Sequence, residues 1–181
     1  MANIYYGDHT YGTVEPVGGK AMGNVHIGKY CSIADEVKVF LEKDHNMDSI
    51  STYPFGHTHL PFSKKITKPF LPNTPHFATA RRNIRIGNDI WLGYGSIIFR
   101  GVTIGDGSCI GAFSVITKDI PVYSVVVGHS RIVRKRFPQE DVDFLMKLKW
   151  WDLPDEVVAD IAPFLRMAST DMLRKWAEER A

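Results

Sequence analysis

Only two cysteines, Cys31 and Cys109, occur in the 181 residues; they lie far apart and form no CxxC pair. Neither a disulfide framework nor a cysteine-based zinc site is indicated, and both read as packed thiols. No apolar stretch approaches the ~20 residues of a membrane span, and the opening MANIYYGDHTYG lacks the charged-then-apolar order of a secretory signal. A soluble, cytoplasmic protein with no membrane partner is expected. Charge of neither sign dominates: 22 Lys and Arg against 20 Asp and Glu leave a net +2, too little for the concentrated positive field that nucleic acid requires. Apolar residues are not scarce, since 44% of the chain is hydrophobic and 12% aromatic, which excludes a disordered chain. The 15 glycines lack the third-residue spacing of collagen.

What is present is a repeat of six. Ile86, Leu92, Ile98, Ile104, Ile110, Ile116 and Val122 form one register, and Ile90, Ser96, Val102, Ser108, Ser114, Ile120 and Val126 form a second, all small or β-branched. Glycine follows the first register at Gly87, Gly93, Gly105 and Gly111. An amphipathic helix repeats at 3.6 and a half-buried flat strand at 2, so neither fits. A short strand followed by a corner does fit, with glycine relaxing the bend; three such sides make one coil, and coils stack at the ~4.8 Å strand spacing. The same pattern occurs upstream at Ala21, Ile27, Ile33 and Val39, with Val25, Cys31 and Val37 in the second register.

Between about Lys43 and Asn83 the hexads vanish into a segment rich in proline and aromatic residues. A loop of that length inside a compact domain is commonly functional. After Arg136 the pattern becomes helical: Pro138 suits a first helical position, Gln139, Glu140 and Asp141 suit a helix amino terminus, and Val142, Leu145 and Leu148 line one face. A second helix is predicted over Asp155 to Arg166, interrupted by Pro163 in an end turn, and Thr170 is placed to cap a third carrying Leu173 and Trp176. These helices are expected to cover an open end of the solenoid. The expected organisation is mainly β, with residues 1–136 as a parallel β-helix domain interrupted by an excursion at about 43–83, and 137–181 as a helical extension of the same domain.

The excursion concentrates groups that move protons: His45, Asp48, Ser51, Thr52, Tyr53, His57 and His59. An imidazole ordinarily titrates near ~6.5 and can take a proton from a hydroxyl as that oxygen attacks a carbonyl. From spacing alone His45 is either such a base or a surface loop histidine. His57 and His59 resemble a metal pair, but with no Cys or carboxylate at a zinc-site spacing nearby, no metal is expected. Arg131, Arg134, Lys135 and Arg136, with Lys118 earlier, are either a phosphate site or a solvated basic edge. Trp91 puts a large ring at an outward position and is either packing for the loop or the wall of a site.

The hexads Ile27-Gly-Lys-Tyr-Cys-Ser and Ile86-Gly-Asn-Asp-Ile-Trp-Leu-Gly resemble those of hexapeptide-repeat acyltransferases, whose fold is a left-handed parallel β-helix. His45-Asn-Met-Asp48 with Ser51-Thr-Tyr-Pro-Phe55, followed by IGNDIWLG, VTIGDGSCIGAFSVITKDIP, RKRF and KWWDLP, resembles the xenobiotic acetyltransferase branch, which includes the streptogramin A (virginiamycin) and type B chloramphenicol acetyltransferases. The likeness covers about Gly23 to Pro154. It implies an acetyl-CoA-dependent O-acetyltransferase linked to antibiotic resistance, a homotrimer with sites between subunits, and a small hydroxylated acceptor. It makes His45 the general base and Asp48, Tyr53 and Trp91 acceptor-site residues. It places Ala112, Thr117, Lys118, Arg134 and Lys135 along acetyl-CoA, the first two on the pantetheine arm and the basic ones on the phosphates. Where family members commonly read G-N-P-A, this chain has Gly128-His-Ser-Arg131, and the segment before the first coil is short.

Four alternatives stand beside this reading, one of them a noncatalytic CoA-binding scaffold, which only activity excludes. A sugar or polysaccharide-precursor O- or N-acetyltransferase would use the same scaffold. A γ-type carbonic anhydrase would need several histidines around the coils, where only His26 occurs. An ice-binding helix would need a uniform outward rank, whereas Trp91, Ile97, Thr103, Cys109, Val115 and Pro121 stand there.

Overall fold

The computed structural model describes residues 3–18, 23–41, 45, 47–55, 60–69 and 83–180. In chain order the strands are β1 (Ile4–Tyr6), β2 (Glu15–Val17), β3 (Val25–Ile27), β4 (Ser32–Ile33), β5 (Lys38–Phe40), β6 (Ile84–Ile86), β7 (Trp91–Leu92), β8 (Ile97–Phe99), β9 (Thr103–Ile104), β10 (Cys109–Ile110), β11 (Val115–Ile116), β12 (Ser124–Val127) and β13 (Arg131–Lys135). Helices α1 (Gln139–Leu148), α2 (Asp155–Leu165) and α3 (Asp171–Glu178) follow.

The strands form three sheets, in the orders β1-β3-β6-β9, β4-β7-β10-β12-β13 and β2-β5-β8-β11. Arg85 pairs with Thr103, Trp91 with Cys109 and Ile97 with Val115, each parallel and each 18 residues on, so three hexads make one coil and the next coil stacks on it. Both sequence registers point inward: Leu92, Ile98, Ile110 and Ile116 are fully buried, as are Ser96, Ser108, Ser114 and Val126. Val122, the last of the first register, instead packs half-buried against the helical tail.

The glycines after the first register have a different role from the bend expected. None of Gly87, Gly93, Gly105 or Gly111 has positive φ. A β-carbon on Gly87 would meet the Asp106 nitrogen at 2.8 Å, one on Gly93 the Ala112 nitrogen at 2.6 Å, and one on Gly105 the Val122 nitrogen at 2.5 Å. These positions are small because the next coil lies on them. The left-handed turn falls two residues later, at Asp89 and Gly107, with Tyr30 and Tyr123 left-handed in the same column. The N–H of each donates into the coil before it: Asp89 to Lys29, Gly107 to Asn88 and Tyr123 to Asp106, at 2.8–3.0 Å.

The solenoid starts earlier than the hexads indicated. Ile4–Tyr6 pairs with Val25–Ile27 and Glu15–Val17 with Lys38–Phe40, so residues 4–17 are themselves a coil. The pairing offsets of 21 and 23 residues break the hexad phase, and an exposed Tyr6 stands opposite buried Ile27.

At the other end, β12 turns through Gly128 and Ser130, both left-handed, into antiparallel β13. This hairpin, not a helix, covers the last edge of the second sheet. The helices lie along the corner column instead of across an end. Trp150 packs on Tyr30 at a ring separation of 4.8 Å, His9 Nε2 is 2.9 Å from Asp155 Oδ1, and Lys29 Nζ is 3.3 Å from Asp152 Oδ1. Tyr123 joins the same apolar cluster as Val142, Leu145, Trp151, Ile161 and Leu173. Helix α2 continues through Pro163 to Leu165, although the proline has no N–H with which to bond the carbonyl of Ala159 one turn back. Thr170 precedes α3 but makes no side-chain cap; its hydroxyl donates to Asp141 Oδ1 at 2.5 Å.

Candidate functional site

The excursion leaves the third sheet after β5 and returns at β6. His45 is exposed on it, with Nδ1 2.7 Å from the carbonyl oxygen of Thr52. A carbonyl only accepts, so Nδ1 carries the hydrogen and, in the neutral ring, Nε2 carries the lone pair. Ser51 Oγ accepts from the Tyr53 N–H at 3.1 Å, and this local turn holds the Thr52 carbonyl in place. Asp48, exposed, lies three residues beyond His45. Tyr53, Phe55 and Phe62 gather into an aromatic cluster with ring separations of 4.8–6.5 Å, and Lys65 Nζ stands 5.9 Å from the Phe62 ring. All three rings are exposed by 41–47%. His57 and His59 lie outside the described residues. Among the described residues no group of three or more His, Cys, Asp and Glu side chains is placed to hold a metal ion.

Trp91 is half-exposed on the second sheet. The pairing places Ser32, Trp91, Cys109, Val125 and Arg134 in a single outward row across β4, β7, β10, β12 and β13. Trp91 and Arg134 thus share a face, whereas His45 leaves from another sheet. Ala112 is exposed at the corner after β10. Thr117 and Lys118 are exposed at the corner after β11, and the Thr117 N–H already donates to Ser130 Oγ at 2.9 Å. Ser130 belongs to the departing Gly-His-Ser-Arg stretch. Arg134 Nη1 donates to the carbonyls of Lys135 at 3.0 Å and Arg136 at 3.4 Å, and Lys135 Nζ to the carbonyl of Val122 at 2.5 Å.

The two cysteines differ. Cys31 is fully buried, and burial pushes its thiol up to about 11. Cys109 is half-buried in the outward row beside Trp91, and burial raises its thiol as well.

Sequence reading did not find the pairing of Arg136 with Asp89 at 3.0 Å, since its members are 47 residues apart. Nor did it find the Thr52 carbonyl, because backbone groups leave no residue-type signal; Ser51 two residues before Tyr53 was the available hint.

Residues 83–118 match the family described as bacterial transferase hexapeptide (six repeats). The chain is 38% identical over 136 residues to a Lysinibacillus sphaericus protein described as "Probable macrolide acetyltransferase", covering 74% of this chain and 72% of that one. It is 31% identical over 163 residues to a chloramphenicol acetyltransferase of Agrobacterium fabrum, covering 84% and 72%. Among solved structures, a hexapeptide-repeat acetyltransferase of Vibrio cholerae superposes with a TM-score of 0.50 at 25% identity, over 73% of this chain and 62% of that chain. The chain thus spans about three fifths of that solved structure's length. The chain belongs to the hexapeptide-repeat transferases, in the xenobiotic acetyltransferase branch.

Proposed function

We propose that this chain is an acetyl-CoA-dependent O-acetyltransferase acting on a small hydroxylated acceptor of the antibiotic class, with His45 as general base. The observation that carries the reading is the 2.7 Å contact between His45 Nδ1 and the Thr52 carbonyl, within a family whose relatives are named for acetyl transfer to macrolides and chloramphenicol. That contact fixes the tautomer a base requires, with the lone pair on Nε2. Nε2 takes the proton of an acceptor hydroxyl, the oxygen attacks the thioester carbon of the co-substrate, and the imidazolium returns the proton to the departing CoA sulfur. No covalent intermediate on the protein is needed.

In this reading the coils are wound left-handed, as in the family, and three chains assemble with sites between them. The placement of Trp91 and Arg134 on one face and His45 on an excursion from another supports a site completed by a second copy. Asp48, Tyr53 and Trp91 contact the acceptor. Ala112 and Thr117 serve the pantetheine arm, Thr117 through its carbonyl, its N–H being held by Ser130. Lys118, Arg134 and Lys135 face the phosphates. Residues 1–136 and the helical extension 137–181 act as one cytoplasmic domain.

The test is free-thiol release from acetyl-CoA with a streptogramin A, a macrolide, chloramphenicol, and free or nucleotide-linked sugars, with His45→Ala run alongside. Release with a drug that depends on His45 supports the proposal. Release with sugars alone moves the enzyme to saccharide acetylation.

A further inference from the structure

The last edge of the third sheet, at β11, is closed by the tip of the β12–β13 hairpin. The Val115 N–H donates to the Gly128 carbonyl at 2.8 Å, and Val115 stands in parallel register with His129. The Ser130 hydroxyl donates to the Val115 carbonyl at 3.3 Å and accepts from the Thr117 N–H at 2.9 Å. Edge groups that would otherwise be unpaired are thereby satisfied, and the tip is pinned to the backbone around β11. The pinning gathers basic side chains that the sequence keeps apart. His129 is exposed, in register with outward Val115; exposed Arg131 follows Ser130, and exposed Lys118 follows Thr117.

Among the described residues these three side chains make no hydrogen bond or ion pair, whereas Lys29, Arg136 and Arg174 each meet a carboxylate at 2.8–3.3 Å. The neighbouring Asp119 is engaged by the first sheet: its Oδ1 accepts from the Thr103 N–H at 2.7 Å. Arg134 and Lys135 already spend donors on backbone carbonyls. Basic groups held together without a carboxylate favour an anion from outside the protein. Phosphate suits this set, since Arg131 can present paired donors, Lys118 a point charge and His129 a ring N–H. With the tip pinned, little ordering of backbone remains to oppose binding. We infer that Arg131 and His129, with Lys118, bind the phosphorylated end of CoA and set a preference for CoA over pantetheine, its phosphate-free arm. The identity of the ligand rests on the proposed acetyl transfer; the anion chemistry of the tip does not.

Calorimetric titration of the full chain with CoA and with pantetheine is the test. The native protein should bind CoA at least tenfold more tightly than pantetheine, an advantage that shrinks as salt rises because the site is exposed. Arg131→Ala and His129→Ala should each weaken CoA by roughly tenfold, the value of one charge-assisted hydrogen bond, and leave the pantetheine Kd unchanged. That unchanged Kd also shows the variants to be folded. Arg131→Lys, which keeps the charge and loses the paired donors, should fall between native and alanine. Arg134→Ala should cost less than Arg131→Ala. Equal affinity of the native protein for CoA and pantetheine overturns the inference, and so does native CoA affinity in both alanine variants; either result leaves the proposed function standing. A native protein that binds neither compound removes the proposed function instead. Inorganic tripolyphosphate then decides the site: binding lost in Arg131→Ala keeps it as a phosphate site, and absence of binding overturns it too.

Discussion

His45 Nδ1 and the carbonyl oxygen of Thr52 stand 2.7 Å apart, so the loop that carries the imidazole also decides which of its nitrogens is protonated. Two substitutions separate that orienting contact from proton transfer. Glutamine at position 45 can still donate to the Thr52 carbonyl but offers no basic nitrogen. Both His45→Ala and His45→Gln are expected to lower kcat by about 10²–10⁴, with the acetyl-CoA Kd unchanged. Steady-state thiol release together with calorimetric titration of acetyl-CoA decides it. A glutamine variant with native turnover would remove His45 from the chemistry.

Asp141 ties α3 to α1. Its Oδ1 accepts from Thr170 Oγ1 at 2.5 Å and from Arg174 Nη2 at 2.8 Å, and these hydrogen bonds, that of Arg174 first, hold its carboxyl below the ordinary 3.8. A carboxyl depressed in the folded state stabilises above the unfolded value and loses that stabilisation as pH falls through the folded one. Urea unfolding of the native protein should therefore weaken between about pH 4 and more acidic solution, with a shallower acid limb for Asp141→Asn. At neutral pH Arg174→Ala should cost about 1–2 kcal/mol, a figure reduced because the guanidinium is partly solvated. Equal acid limbs in both proteins would mean the contact is energetically silent.

The glycines separate two causes of the same sequence preference. A β-carbon on Gly93 would lie 2.6 Å from a backbone nitrogen of the next coil, although its φ is ordinary. Gly128 has open space around it but holds φ at 61°. Gly93→Ala must push two coils apart and should cost at the upper end of about 1–3 kcal/mol, by overpacking. Gly128→Ala incurs the left-handed conformation alone, about 1–2 kcal/mol. Denaturant midpoints should rank the variants in that order, and the reverse order would put backbone conformation above coil contact.

These two glycines also mark how far the fold could be read from the chain. The hexads identified the inward residues from Ile27 to Ile116 because a three-sided coil needs a large apolar residue at each side, and that need is written in residue type. Corner conformation is not: Tyr30, Asp89 and Tyr123 adopt left-handed turns where glycine would be the expected signal. The first coil escaped because its insertions break the phase of six and Tyr6 replaces an apolar residue. The tail's place along the corner depends on pairs such as His9 with Asp155, 146 residues apart, which no local pattern announces. In the candidate site, His45 was visible as a residue type in an excursion, while its partner is a backbone oxygen.

Cys31 and Cys109 have the same sequence signature of packed thiols, and labelling should split them. Cys31 is in the second inward register, fully buried, with Sγ 3.2 Å from the Gly87 carbonyl and its thiol pushed up to about 11 by burial. Thiolate is the reactive form, so near pH 8 about one Cys31 in 10³ is ionised, and that one is shielded by the coils on either side. Cys109 occupies the outward row between Trp91 and Val125 and is only partly buried. A disulfide reagent added to the native protein should therefore modify Cys109 first. Cys31 should follow only at the rate of global unfolding, and that second phase should accelerate with urea in step with loss of the fold. Comparable rates for both thiols in native buffer would show that the early coils open locally, and that β3 and β4 are less firmly stacked on β6 and β7 than their hydrogen bonds indicate.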